Sequence, residues 1–162
     1  MSTTGLLAML IVVVLGAFIA ATSIPSYLSS RQGDQPTATG AKLKANEASV
    51  IASLRVLYRA ELTYSVGDGL GSYGTLAALG STGAVDQHWV VASNRSGYQF
   101  ELILDSPGNK GFCATAERLS DKMGDYAYAV SQQGVTYQLA GDTAPACDPN
   151  TGVISTGTVL GS

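Results

Sequence analysis

Charge is absent from the first 30 residues of this 162-residue chain, in which Arg31 is the first base and Asp34 the first acid. Lysines and arginines together number only nine and are scattered, so the sequence lacks the basic patch typical of a nucleic-acid-binding protein. His88 is the only histidine, and no nucleophile, base and orienting acid can be grouped around it. We therefore expect no enzyme, no cofactor and no nucleic-acid partner.

Cysteine is also scarce, because the chain has only Cys113 and Cys147, both in its C-terminal third. Behind a membrane-crossing segment an oxidising compartment is expected, and an even number of cysteines then favours a disulfide. A disulfide that closes a loop of this size would stabilise the folded chain by roughly 4 kcal/mol. Two unpaired buried thiols are the alternative.

The uncharged region contains an apolar run over residues 6–24, which only Gly16, Thr22 and Ser23 interrupt. A helix of this length spans about 28 Å at ~1.5 Å per residue, close to the thickness of a bilayer's hydrocarbon core. The run therefore predicts a transmembrane helix within residues 1–28. A cleaved secretory signal stays open as an alternative, although the segment "MSTT" before the run has no basic residue.

Two arguments disagree on the orientation of this segment in the membrane. The nearest bases, Arg31, Lys42 and Lys44, follow the apolar run, so the positive-inside rule places the remainder in the cytoplasm. The disulfide requires the remainder to lie outside the cytoplasm. We give the cysteines more weight, because the two lysines lie far from the apolar run.

The rest of the chain divides into a linker at residues 29–40 and a globular head at residues 41–162. The linker, "SSRQGDQPTATG", is rich in Ser, Thr, Gly and Pro. Residues 41–66 predict an amphipathic helix, since Val50, Leu54, Leu57 and Glu61 follow one another at spacings of 4, 3 and 4. Glycines at 67 and 69 predict its end.

Residues 67–140 change from a glycine-rich pattern to period-two alternation. We expect a loop at 67–87 with one helical turn at 75–79, and a sheet within 88–140. The strands are predicted at 98–104, at 112–117 and as a hairpin over 126–139, with "HWVVAS" at 88–93 as an additional edge strand. Residues 141–162 form a C-terminal loop. The fold class is therefore α+β, with a hydrophobic helix, a linker, and an amphipathic helix on an antiparallel sheet of three to four strands.

Six segments follow one another along the chain: "IPSY", "KANEASVIASLR", "SYGTLAALG", "SGYQFELI", "FCATAE" and "YAYAVSQQGVTY". In this order they resemble the type IV pilins and the related pseudopilins of type II secretion. The resemblance implies a homo-oligomeric filament subunit, held in the inner membrane by its apolar helix before a pilus assembly platform extracts it. The filament would be extracellular and would serve adhesion, motility or a related task.

The resemblance also implies roles for residues of the apolar run. A prepilin peptidase would process the chain after Gly5, and the family's glutamate at the fifth place after the cut is replaced here by Leu10. The filament core would be formed by Leu6, Leu7, Leu10, Val13, Val14, Gly16, Ala17, Phe18, Ala20, Ala21, Ile24 and Pro25. Two other functions stay open: a periplasmic pseudopilin, and a membrane-anchored binding domain that never polymerises.

The C-terminal loop contains weak candidates for a calcium site. Asp142, Asp148 and Asn150 offer oxygen ligands, but their spacing is not that of an EF-hand. A solvated loop is the favoured interpretation, so no metal is expected.

Overall fold

The computed structural model describes residues 38–160, which lie in the compact unit Ala38–Ser162. One long helix, α1 (Ala38–Val66), is followed by two short helices, α2 (Leu76–Ser81) and α3 (Gln87–Val91). A six-stranded antiparallel sheet follows, with its strands in sequence order. The strands are β1 (Asn94–Arg95), β2 (Tyr98–Leu104), β3 (Phe112–Arg118), β4 (Tyr126–Ser131), β5 (Thr136–Ala140) and β6 (Thr158–Val159).

Helix α1 packs its apolar stripe on strands β3 and β4. Val50, Leu54 and Leu57 are fully buried, as their spacing predicts. They contact an aromatic and aliphatic layer from the sheet, formed by Tyr98, Phe100, Phe112, Ala114, Ala116, Tyr128 and Val130. A polar contact attaches the N-terminal half of α1 to the residue before β4. Glu47 Oε1 accepts a hydrogen bond from the backbone N–H of Asp125 at 2.6 Å.

Glycines terminate helix α1, because a side chain would be strained or would collide at these positions. The N–H of Gly69 donates to the carbonyl of Tyr64 at 2.7 Å, and the N–H of Gly71 donates to that of Ser65 at 2.7 Å. Gly71 has φ of 86°, which a side chain disfavours, and a Cβ on Gly69 would collide with the carbonyl of Ser72.

The predicted edge strand at 88–93 is wrong, because residues Gln87–Val91 form helix α3. The Asp86 side chain caps this helix by accepting from the N–H of His88 at 2.9 Å. Trp89 is then buried edge-to-face against Phe100, with ring centroids 5.1 Å apart. Capping and burial of one aromatic ring therefore outweigh the β propensity of the two valines that follow.

The predicted fold class is corrected in two respects. The sheet has six strands rather than three to four, because the two-residue strands β1 and β6 extend it at either edge. Within residues 38–160, no helix is long and apolar enough to cross a membrane. The residues on which the hydrophobic helix was expected, 1–28, lie outside the described part of the chain. Helix α1 also begins three residues earlier than predicted, inside the expected linker 29–40.

Candidate functional site

The face of the sheet opposite α1 is covered by the C-terminal segment, residues 141–157. Small side chains line this outer face of β3 and β4, namely Cys113, Thr115, Ala127, Ala129 and Ser131, and all of them are buried. Because no large side chain stands between them, the backbone of the segment can approach the sheet closely. Pro145 and Ile154 of the segment are buried against this face.

A disulfide between Cys113 and Cys147 joins the segment to the centre of the sheet, as the sequence predicted. The two Cα atoms are 6.1 Å apart, within the range of ordinary disulfides. Within the segment, the backbones of Cys147 and Ile154 form an antiparallel β-bridge. The disulfide therefore holds a small folded loop rather than a loose tail. No free cysteine is present in the part of the chain that the structure describes.

Hydrogen bonds complete the attachment of the segment. The hydroxyl of Ser131 donates to the carbonyl of Gly152 at 2.7 Å in a buried contact. At the other end of the outer face, the carboxylate of Glu117 accepts from the N–H of Ala144 at 3.0 Å. The backbone of Gly111 passes so close to the carbonyl of Pro149 that a Cβ would collide with it. The segment is thus fixed at several points along its length.

The structure brings two of the three weak calcium candidates, Asp148 and Asn150, into contact, but not as a set of metal ligands. Asp142 forms an ion pair with Arg118. Asp148 accepts hydrogen bonds inside its own loop, from the hydroxyl of Thr151 at 2.9 Å and the N–H of Asn150 at 3.0 Å. These bonds lower the pKa of Asp148, the Thr151 hydroxyl most of all. Between residues 38 and 160 no group of three or more His, Cys, Asp or Glu could hold a metal ion.

Glu61 is the residue whose role the sequence did not reveal. Its side chain is 0% exposed, on the apolar stripe of α1, with Oε2 accepting from the N–H of Gly74 at 2.8 Å. Its other oxygen, Oε1, is buried and has no hydrogen-bond partner. Burial raises the pKa of Glu61 to about 7, against the smaller opposing effect of the Gly74 hydrogen bond. An acid in the middle of an apolar helical stripe was the signal in the sequence.

The outward face of α1 is cationic. Lys42, Lys44, Arg55 and Arg59 are exposed, and none of them pairs with an acid of the described residues. Val56 lies between the two arginines and is 48% exposed. Arg55 and Tyr58 line a shallow cavity of about 290 Å³ together with residues of the β4–β5 hairpin. Among residues 38–160, this face is exposed to solvent.

The residues predicted to form a filament core, from Leu6 to Pro25, lie outside the described part of the chain, as does the predicted processing position Gly5. The structure therefore places none of them. No protein-family model, no curated protein and no solved structure matches this chain. Its function has to be argued from its own residues and from the geometry described above.

Proposed function

We propose that this chain is a structural subunit that assembles through its apolar N-terminal segment into a type IV pilus-like extracellular filament. One observation carries the proposal: a long helix packed on an antiparallel meander, with a disulfide-bound C-terminal segment, comes after a 19-residue apolar run in the sequence. This order of parts agrees with the family that the sequence resembles.

Physical chemistry supports assembly through the apolar run. Outside a bilayer, residues 6–24 would expose a large apolar surface, and burial against copies of the same segment is worth roughly 25 cal/mol per Å². In lipid this driving force is absent, so the same segment can be stored in the inner membrane as a monomer. Gly16, Ala17, Ala20 and Ala21 allow neighbouring segments to approach closely.

The head supports an extracellular role. Its outer layer is closed by a disulfide, a bond that persists in oxidising compartments. The partners of the proposal are copies of the same chain, the assembly platform that extracts them from the inner membrane, and a prepilin peptidase acting near Gly5.

Electron microscopy of material sheared from the producing cells tests the proposal. We expect fibres that bind an antibody against the head and that yield this chain on dissociation. Dispersed monomer without fibres would refute the filament and favour a membrane-anchored binding domain. Assemblies confined to the periplasm, with a secretion defect on deletion, would favour the pseudopilin.

A matched pair of variants then tests the route of assembly. Val13→Asp places an unpaired carboxylate in the apolar run, which is strongly unfavourable in a water-free core, so fibres should disappear while the head keeps its disulfide. Val153→Asp places the same charge on a half-exposed position of the head and should leave fibres intact. Fibres of normal yield from Val13→Asp would show that the apolar run does not drive assembly.

A further inference from the structure

The loop after α1, Gly67–Gly74, is held over a buried acid. Glu61 accepts the N–H of Gly74 from inside the core, and its free oxygen Oε1 has no partner there. A charged carboxylate in this position has one hydrogen bond and no counter-ion, whereas a neutral carboxyl group keeps the same hydrogen bond without a buried charge. The closed loop therefore suits the protonated form of Glu61.

Three more hydrogen bonds attach the loop to the β2–β3 turn, one of them from Lys110 Nζ to the hydroxyl of Ser72 at 3.1 Å. The N–H of Tyr73 donates to the carbonyl of Asn109 at 2.7 Å, and Lys110 Nζ donates to the carbonyl of Gly71 at 2.9 Å. The ring of Tyr73 packs edge-on against Phe112, with centroids 4.8 Å apart. These contacts, and the bonds of Gly69 and Gly71 to the end of α1, all lie outside the hydrogen-bonded strand pairs, so the loop can leave the core without unfolding the sheet.

The charged and titratable groups around Glu61 come from three elements. Tyr58 and Tyr64 lie on α1, with the Tyr64 ring against Gly69 and Gly74, and Tyr73 lies on the loop itself. Lys110 reaches the loop from the β2–β3 turn, where its ammonium is bound to Gly71 and Ser72 rather than to Glu61. Burial raises the pKa of Tyr73, and the negative charge of Glu61 adds to this effect, so the tyrosine stays neutral below pH 10. Glu61 is thus the group that can titrate near neutrality.

We propose that Glu61 and the loop Gly67–Gly74 form a proton-controlled latch, closed when Glu61 is protonated and opened when Glu61 ionises and draws water into the core. Opening frees the N–H of Gly74, removes Tyr73 from Phe112 and exposes the C-terminal end of α1. The latch changes a surface of the head in response to the pH outside the cell. It does not depend on whether the chain forms filaments.

The direction and the pH range follow from linkage. In the closed loop the pKa of Glu61 is about 7, and in the open, hydrated loop it returns towards the ordinary value of 4.5. Below both values the two forms bind the proton equally. Between them the closed form binds more protons, so opening becomes about tenfold more favourable per pH unit and levels off above the higher value.

Hydrogen–deuterium exchange of the full chain in detergent micelles tests the latch between pH 5 and pH 8. After correction for the intrinsic exchange rate, we expect the opening equilibrium of residues 67–74 to rise about tenfold per pH unit up to pH 7 and then to become constant. Glu61→Gln keeps an oxygen that accepts from Gly74 but cannot ionise, so its loop exchange should be independent of pH.

Glu117→Gln is the matched control, because Glu117 also accepts a backbone N–H but is exposed to water. In this variant, exchange in the loop Gly67–Gly74 should keep the wild-type pH dependence. A flat profile in the wild type, or an unchanged profile in Glu61→Gln, would overturn the latch. Titration of the labelled Glu61 carboxyl carbon in the wild type gives an answer that needs no variant: a midpoint near 7 supports the latch, and one near 4.5 refutes it.

Discussion

The two faces of the sheet are covered by different means. On one face, α1 buries Val50, Leu54 and Leu57 against aromatic and aliphatic side chains of β2, β3 and β4. On the other, side chains no larger than threonine allow a loop segment to lie close to the strands, and a disulfide with a few hydrogen bonds keeps it there. The first layer is held by the hydrophobic effect, and a covalent bond reinforces the second.

Removal of the disulfide should have the largest effect and should separate the two faces. For Cys113→Ala with Cys147→Ala we expect a loss of about 4 kcal/mol in the free energy of unfolding. Hydrogen exchange should show the loss of protection in residues 141–157 first, while residues 50–61 of α1 stay protected. Equal loss of protection in both regions would mean that the two faces depend on one another.

A cavity in the core beneath α1 should destabilise the face of the sheet that this helix covers. Leu54→Ala removes a fully buried side chain and should cost about 3 kcal/mol in urea unfolding. Val56→Ala, on the outward side of the same helix, is the control and should change the free energy of unfolding by about 0.5 kcal/mol or less. If Val56→Ala proved as costly as Leu54→Ala, the outward face of α1 would not be free.

The helix face should also be the one that responds to pH. Because the pKa of Glu61 is raised to about 7 in the folded chain, its contribution to stability is complete below pH 4.5 and is lost as the pH rises to 7. The loss approaches about 3 kcal/mol and should vanish in Glu61→Gln. Urea unfolding at pH 5 and at pH 7.5 should record about 2 kcal/mol of this loss, because part of it has already occurred at pH 5. A head whose stability is the same at both values would show that Glu61 does not titrate in this range.

The smallest effect concerns one hydrogen bond of the outer layer. Ser131→Ala removes the buried bond to the carbonyl of Gly152 and should cost about 1 kcal/mol. Exchange should increase at residues 150–154 and stay unchanged in α1. A general loosening of the helix would contradict the independence of the two layers.

The sequence predicted those elements whose periodicity extends over several turns or pairs. Helix α1 has its buried residues where the 4, 3 and 4 spacing placed them, and β2 to β5 lie where the alternation placed them. Strands β1 and β6 are two residues long, which is too short for alternation to be visible. The alternation predicts a strand where α3 forms, because Asp86 and Trp89 decide the conformation through contacts that propensity does not include.

The candidate sites also differ in how far the sequence could predict them. The pairing of two cysteines could be expected from their number and from the compartment, so the disulfide was predictable. The burial of Glu61 was visible as an acid on an apolar stripe, yet its orphaned oxygen depends on the exact path of a glycine loop that pattern alone does not supply. For the calcium candidates, the partners of Asp142 and Asp148 are set by tertiary contacts with Arg118 and with a local turn.

The sequential order of the strands has a consequence for how the head is made. Each strand pairs with the strand before it, and the helix on which the sheet rests comes first in the chain. A head that emerges N-terminus first can therefore fold as it emerges, each hairpin closing when its second strand arrives. Cys147 lies 34 residues after Cys113 and beyond β5, so the disulfide can form only after strands β3 to β5 have emerged.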